Sequence, residues 1–179
     1  PSRKAGVLHS IEALRGPRPG RYYCANEQDR AGGCLEFAAR MLALNAPLGE
    51  GNSTVFSQLD EIAALAEPGS GGVLFAPWLN GERTPVDDPH LRGMFTCLSA
   101  STTREQLVRS VFEGVALNTR WRLSHVEAFL RKTLQPMTIV GGGALSDFWC
   151  RLSADTLGRH LRLPVPSRRA PARPAASNA

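Results

Sequence analysis

A strand-like segment that runs into three consecutive glycines places the strongest constraint on how this sequence can fold. The apolar residues 137–140 precede Gly141, Gly142 and Gly143, and Ser146 is placed to cap the helix predicted after them. Glycines leave no side chain between the backbone and its surroundings, so a flat ligand can approach the peptide planes closely. The free N–H groups of a first helical turn also favour polar or anionic ligands. The pattern therefore indicates a nucleotide site, although a tight strand-to-helix turn without a ligand fits it equally well.

The composition is that of a globular protein with one domain of ordinary size. The chain has 179 residues, of which 42% are hydrophobic and 21% are charged. Its sequence contains no apolar run long enough to cross a bilayer and no signal-peptide pattern. We therefore expect a cytoplasmic protein that makes no contact with a membrane.

The charge distribution argues against nucleic-acid binding. The formal net charge is +5, but residues 167–179 contain three arginines and no acid. Without those three, the 21 basic residues fall to 18, against 16 acidic ones. The body of the chain is nearly neutral and has no basic stripe interleaved with aromatic residues, so a nucleic-acid partner is not expected.

The cysteines and histidines do not have the spacing of metal ligands. Four cysteines and four histidines are scattered along the chain without a CxxC pair. The cysteines are expected to be reduced and mostly packed thiols, as in a cytosolic protein. The sequence therefore predicts no metal-ligating side chains and no disulfide framework.

Apolar periodicity predicts three helices before the glycine run. The first runs from about Arg30 to Leu44, and the second is capped by Ser57 and ends at Pro68-Gly69. The third begins with a capping box and continues in one long or kinked helix to Leu130. The predicted inward-facing residues of the first helix are Cys34, Leu35, Ala38, Met41 and Leu42. Those of the second are Leu59, Ile62, Leu65 and Ala66, and the capping box of the third pairs Thr102 with Glu105.

Short strands and loops complete the pattern. Strands are predicted over 73–76 and 137–140, and the alternation of Leu161, Leu163 and Val165 predicts a last one. Residues 77–103 are mostly loop, and Gly158 is placed to end the helix that follows the glycines. Residues 167–179 form a low-complexity Arg/Pro/Ala tail that we expect to be disordered. Mixed helices and short strands predict an α/β layered domain over residues 1–166.

Several motifs in this order resemble the C-terminal domain of the FGGY family of carbohydrate kinases, particularly its xylulokinase-like members. The loop 77–85 (PWLNGERTP) and the segment 31–37 (AGGCLEF) are similar to family segments. The stretch from Gly93 to Glu113 is similar to the second signature of the family, but it has Cys97 where the family prefers glycine. The run Gly141 to Ala144 with Ser146 resembles the adenosine-binding motif. The resemblance covers roughly residues 7–166.

The resemblance implies the actin/Hsp70/hexokinase-like, ribonuclease H-like architecture, in which two α/β domains close over a cleft. It implies MgATP between the domains and phosphoryl transfer to a sugar hydroxyl, with the sugar held mainly by the N-terminal domain. The family allows a homodimer of the intact enzyme. By the same resemblance, Gly142 and Gly143 line the adenosine pocket through their backbones, and Ser146 offers its hydroxyl to the base. Gly141 and Ala144 complete the implied cofactor-binding set.

Two motifs of the family are missing from the sequence. Neither the Gly-Asp-Asn-Ala-like motif that carries the catalytic Asp nor the Gly-Thr-Ser-Gly phosphate turn occurs in the 179 residues. We therefore assign no catalytic residue and expect a fragment that is inactive alone. Two interpretations stay open: the nucleotide-binding part of an ATP-dependent sugar kinase, and a non-catalytic remnant with weak adenine-nucleotide binding.

A few charged and aromatic residues have both a functional and a structural interpretation. For Glu82 with Arg83, we favour a loop-stabilising ion pair or surface charges over a role in the cleft. Glu113 is interpreted as a buried anchor for a loop backbone. Trp78 and Trp149 have the chemistry to stack on adenine, but aromatic residues beside strands are more often part of the core.

Overall fold

The structure is a computed structural model that describes residues 11–16, 19–20, 22–42 and 53–163. Its elements in chain order are strands β1 (Glu12–Arg15) and β2 (Tyr22–Ala25), helices α1 (Gly32–Met41) and α2 (Ser53–Ala64), strands β3 (Leu74–Ala76) and β4 (Met94–Thr96), helix α3 (Arg104–Leu130), strand β5 (Met137–Thr138), helix α4 (Asp147–Leu157) and strand β6 (Leu161–Arg162). Strands β1 and β2 pair antiparallel, as do β3 and β4, whereas β5 and β6 are parallel. Because α4 connects β5 to β6, the C-terminal part is a βαβ unit.

Helix α3 is the centre of the packing. It contacts α1, α2, α4 and β3, and its residues Val108, Val111, Phe112 and Val115 are almost completely buried. Their spacing places them on one face of the helix. The rest of the core comes from the following buried residues: Cys34, Leu35, Ala38, Ala39, Val55, Leu59, Ala63, Phe75, Ala116 and Leu152.

The long third helix is confirmed, but its cap lies one residue later than predicted. Thr103 is the N-cap, with Gln106 as its capping-box partner: Thr103 Oγ1 accepts from Gln106 N at 3.3 Å, and Gln106 Oε1 accepts from Thr103 N at 3.0 Å. The prediction of Thr102 with Glu105 was wrong because the Thr102 hydroxyl accepts a 2.9 Å hydrogen bond from Ser99 N in the preceding turn.

The first two helices differ from the prediction in their limits and their buried faces. Helix α2 begins at Ser53, so Ser57 lies inside it and is not its cap. Leu65 lies beyond the end of α2 and is 77% exposed, and Met41, the last residue of α1, is 67% exposed. Their predicted burial was wrong because each lies where its helix ends.

The remaining predictions are met in part. The region 77–103 is irregular as expected, but it contains β4, which pairs with the predicted strand β3. Gly158 ends α4 in the left-handed conformation, as predicted. The last strand has only two residues and leaves Leu163 exposed; Val165 and the predicted tail 167–179 lie outside the described residues.

Within the described part of the chain, no helix is both long enough and apolar enough to cross a membrane.

Candidate functional site

The three glycines form a turn at the carboxyl end of β5, the position where ligands bind in open α/β sheets. Gly141 has φ +84°, a conformation that favours glycine, and residues Gly142–Leu145 make one turn of 3-10 helix. Ala144 N donates a 3.1 Å hydrogen bond to Gly141 O, which closes the turn. Ser146 then caps α4. We refer to residues 141–146 as the glycine turn.

The two sides of the glycine turn have different surroundings. A Cβ atom added at Gly141 or Gly142 would meet no heavy atom within 4 Å, so these residues face open space. A Cβ at Gly143 would lie 3.1 Å from both Cδ1 and Nε1 of Trp149. Packing against Trp149 accounts for glycine at position 143, whereas nothing in the described part of the chain fills the space beside Gly142.

The inner side of the turn is attached to the core. Trp149 packs on Phe112 with ring centroids 5.2 Å apart, so it is part of the core as the structural interpretation predicted. Cys150 Sγ donates to Gly143 O over 3.5 Å. Val140 and Leu145, which precede and follow the glycines in sequence, are 70% and 89% exposed. This arrangement offers backbone polar groups and apolar side chains to a flat ligand.

Ser146 is the N-cap of α4, as predicted. Its Oγ accepts a 2.9 Å hydrogen bond from Trp149 N. Burial raises the pKa of the Asp60 carboxyl on α2 above its usual value, and the hydroxyl of Ser146 opposes that rise. Asp60 was not among the residues predicted from the sequence.

A second polar cluster surrounds Glu82, which is only 3% exposed. Glu82 Oε1 accepts from the backbone N–H groups of Asp29 at 3.1 Å and Arg83 at 2.9 Å, and Oε2 accepts from Asn118 Nδ2 at 2.8 Å. Of the two structural alternatives, an ion pair or surface charges, Arg83 fits the second: it is exposed and its guanidinium binds Glu27, whereas Glu82 is buried and does not pair with that guanidinium. The buried carboxylate instead joins two loops to α3, a structural role.

Other motif residues are structural as well. Glu113 accepts from Gly69 N at 2.9 Å and from Ser70 Oγ at 2.7 Å, which confirms it as an anchor for a loop. Trp78 Nε1 donates to Asn118 Oδ1 over 3.4 Å. Cys97 has φ +61°, which lies in the left-handed region that favours glycine. The backbone conformation at this position therefore suits the glycine that the family prefers, although this chain has cysteine there.

Among the residues that the structure describes, the ionisable side chains do not form a metal centre. No group of three or more His, Cys, Asp or Glu side chains able to hold an ion occurs in the ranges that the structure describes. The four cysteines are free; Cys34 is buried and Cys97 is exposed. The chemistry available at the glycine turn is therefore binding and orientation by backbone groups and one hydroxyl.

The family profile described as "FGGY family of carbohydrate kinases, C-terminal domain" matches residues 5–175. This chain belongs to the FGGY family. Its fold is accordingly part of the actin/Hsp70/hexokinase-like ATPase architecture, as the motifs predicted. The glycine turn and the 77–85 loop both lie within the matched FGGY C-terminal domain.

Individual relatives agree with the family assignment. The chain is 32% identical over 162 residues to a xylulose kinase of Escherichia coli K12, with 89% of this chain and 30% of the relative covered. A solved structure described as a "xyloylose kinase" from Brucella ovis superposes with a TM-score of 0.77 at 28% identity, covering 89% of this chain and 31% of that one. Xylulose kinase from Rhodospirillum rubrum gives a TM-score of 0.71 at 31% identity, with 86% and 29% covered. This FGGY chain therefore spans about 30% of the length of these relatives.

Proposed function

We propose that this chain is the nucleotide-binding part of an ATP-dependent carbohydrate kinase of the xylulokinase type. The observation that carries the proposal is the open face of Gly141 and Gly142 at the carboxyl end of β5. A family of sugar kinases makes ATP the expected ligand of that face, and the names of the relatives make a sugar such as xylulose the expected acceptor. The kinase acts in the cytoplasm, and the intact enzyme is able to form a homodimer.

The proposed ligand contacts follow from the geometry of the turn. Gly141, Gly142, Gly143 and Ala144 present backbone groups to the adenosine, and the exposed side chains of Val140 and Leu145 are available to pack against it. Ser146 contributes the polar group nearest the start of α4. When bound, MgATP supplies the phosphoryl group that is transferred to the sugar hydroxyl. The backbone groups and the hydroxyl of the glycine turn suit the adenosine end of the ligand, and the turn is assigned to that end.

A non-catalytic module that binds adenine nucleotides weakly is the alternative. It is favoured by the absence of both the catalytic Asp motif and the phosphate turn from the 179 residues. The alternative shares the adenosine site with the kinase proposal and differs from it only in turnover. Nucleotide binding therefore tests both proposals, and a kinase assay separates them.

Calorimetry with ADP tests the site. We expect weak binding by the 179-residue chain and at least tenfold weaker binding by Gly142→Val, because the branched side chain enters the open space beside the turn. Gly32→Val is the matched control, since Gly32 also faces open space but lies at the start of α1. Circular dichroism checks that both variants fold. Equal ADP affinity in wild type and Gly142→Val would show that the turn is structural only.

A further inference from the structure

The polar side chains of the glycine turn and of the first turn of α4 make contacts within the fold. Ser146 Oγ accepts a 2.9 Å hydrogen bond from Trp149 N, as the N-cap of α4. Cys150 Sγ donates to Gly143 O over 3.5 Å, and the Trp149 ring lies against Gly143. These contacts hold the turn on α4, so each of the three side chains has a structural role.

Backbone groups of the turn are also paired with one another. Ala144 N donates to Gly141 O at 3.1 Å, and Ser146 N donates to Gly143 O at 3.4 Å. Neither N–H group has a second proton to donate. Gly143 O accepts from both Ser146 N and Cys150 Sγ, which occupies its two lone pairs. These groups are therefore not available to a polar group of a ligand.

The open part of the turn offers flat and apolar surface instead. A Cβ atom at Gly141 or Gly142 would meet no heavy atom within 4 Å, and both glycines are exposed. The exposed side chains of Val140 and Leu145, just before and just after the glycines, are aliphatic. Peptide planes and aliphatic side chains pack on the flat faces of an aromatic ring, and every nucleobase has such faces.

We propose that the glycine turn binds a purine base by packing and not through hydrogen bonds to the edge of the base, so that this chain takes purine nucleotides as a class. Adenine, hypoxanthine and guanine share their fused rings and differ in the polar groups on the edge. A site that packs on apolar faces discriminates weakly between ligands of one shape. Strong discrimination requires polar groups of the site that one ligand leaves unpaired. This inference rests on the proposed function, because it assumes that the base lies beside the glycine turn.

Calorimetry on the 179-residue chain tests the inference with ADP, GDP, IDP and CDP, which share the ribose and the diphosphate. We expect the three purine nucleotides to bind within about threefold of one another. CDP should bind about fivefold more weakly, because its single ring covers less of the turn. A preference of about tenfold or more for ADP over both GDP and IDP, or equal affinity for CDP, would overturn the inference.

A leucine variant tests whether packing holds the base. Leu145→Ala removes exposed apolar surface and should weaken the binding of all three purine nucleotides by about the same factor, about threefold. Leu98→Ala is the matched control, since Leu98 is another exposed leucine but follows β4, and it should leave the three affinities unchanged. Circular dichroism checks that both variants fold. Unchanged affinities in folded Leu145→Ala would overturn the packing role.

An aspartate variant tests for recognition of the edge. Asp147 is the exposed charged residue that directly follows the glycine turn in sequence. Asp147→Ala should leave the ratio of ADP to GDP affinity unchanged. A change of more than about threefold in that ratio, in a folded variant, would show that the carboxylate distinguishes the two bases and would overturn the inference.

Failure of the proposed function gives a different result. If none of the four nucleotides binds, or if ADP binds equally well to wild type and Gly142→Val, the base does not lie beside the glycine turn. The inference then falls together with the proposed function. If ADP binds selectively and Gly142→Val abolishes that binding, the proposed function stands and only the inference is overturned.

Discussion

Asn118 Nδ2 donates a 2.8 Å hydrogen bond to Oε2 of Glu82, across a sequence separation of 36 residues. Asn118 is 5% exposed and lies on α3, while Glu82 lies in the 77–85 loop. The other carboxylate oxygen accepts from Asp29 N and Arg83 N. A single buried side chain thus attaches two loops to the central helix, and its hydrogen bonds satisfy donors that would otherwise be buried without partners.

Replacing Glu82 should therefore destabilise the domain. We expect Glu82→Ala to lower the free energy of unfolding by about 3 kcal/mol, because it leaves several donors unpaired in the interior. Urea denaturation followed by circular dichroism measures the change. Glu27→Ala is the control: the Glu27–Arg83 ion pair is at the surface, so its loss should cost less than about 1 kcal/mol. Similar losses in the free energy of unfolding for both variants would contradict the role of Glu82 in attaching two loops to α3.

A second stability prediction concerns Gly114 in α3. A Cβ atom at Gly114 would overlap the carbonyl oxygen of Phe75 in β3. Because that oxygen belongs to the backbone, β3 or α3 would have to move to make room. We expect Gly114→Ala to cost about 2 kcal/mol or more, although alanine normally stabilises a helix interior. Gly32→Ala, at the open start of α1, should be neutral or slightly stabilising. A stabilised Gly114→Ala in thermal or urea unfolding would show that β3 does not approach α3 so closely.

Local sequence signals explain why much of the fold was predictable. Helix α3 carries a strict apolar period from Val108 to Val115, and Ser146 and Gly158 are residues with strong preferences for helix ends. The family resemblance then supplied the architecture, which the short strands alone do not specify. The Thr103 cap was misassigned because Thr102 and Thr103 are equally suitable by residue type, and only the Ser99 turn distinguishes them.

Contacts between distant residues were not predictable in this way. The hydrogen bond between Glu82 and Asn118 joins elements far apart in the chain, and no local periodicity of the sequence indicates it. Likewise, sequence cannot separate Gly142, which faces open space, from Gly143, which packs on Trp149. The candidate site was thus located from sequence as a segment, whereas the environment of each of its residues required the structure.

The thiols should differ in reactivity. Burial raises the pKa of Cys34 to about 12, and its Sγ donates to Pro77 O at 3.5 Å. At pH 8 only about one Cys34 in ten thousand is then the reactive thiolate, and the side chain is enclosed. We expect iodoacetamide to modify the exposed Cys97 first and to leave Cys34 unmodified until the chain unfolds. Peptide mass spectrometry over time measures this, and equal rates in the native chain would contradict it.

Asp60 should make stability depend on pH. Burial raises the pKa of Asp60 in the folded state, so folding disfavours the ionised carboxylate. The free energy of unfolding should therefore decrease as the pH rises from the pKa of Asp60 in the unfolded chain through its higher pKa in the folded chain. Asp60→Asn removes this cost. We expect the variant to gain stability over wild type as pH increases from 4 to 7, measured by urea midpoints. A stability difference between Asp60→Asn and wild type that is constant with pH would contradict the raised pKa.

The isolated 179-residue chain should lack sugar kinase activity. General-base catalysis typically contributes about 10²–10⁴-fold, and the closed cleft that positions the sugar contributes more. The sequence contains neither the catalytic Asp motif nor the phosphate turn of the family, and it spans about 30% of its xylulose kinase relatives. A coupled assay of ADP release with pentuloses, hexuloses and polyols measures turnover, with the Escherichia coli xylulose kinase as positive control. ATP- and sugar-dependent turnover at rates comparable to that enzyme would show that this chain supplies its own base, and would require a catalytic residue among its carboxylates.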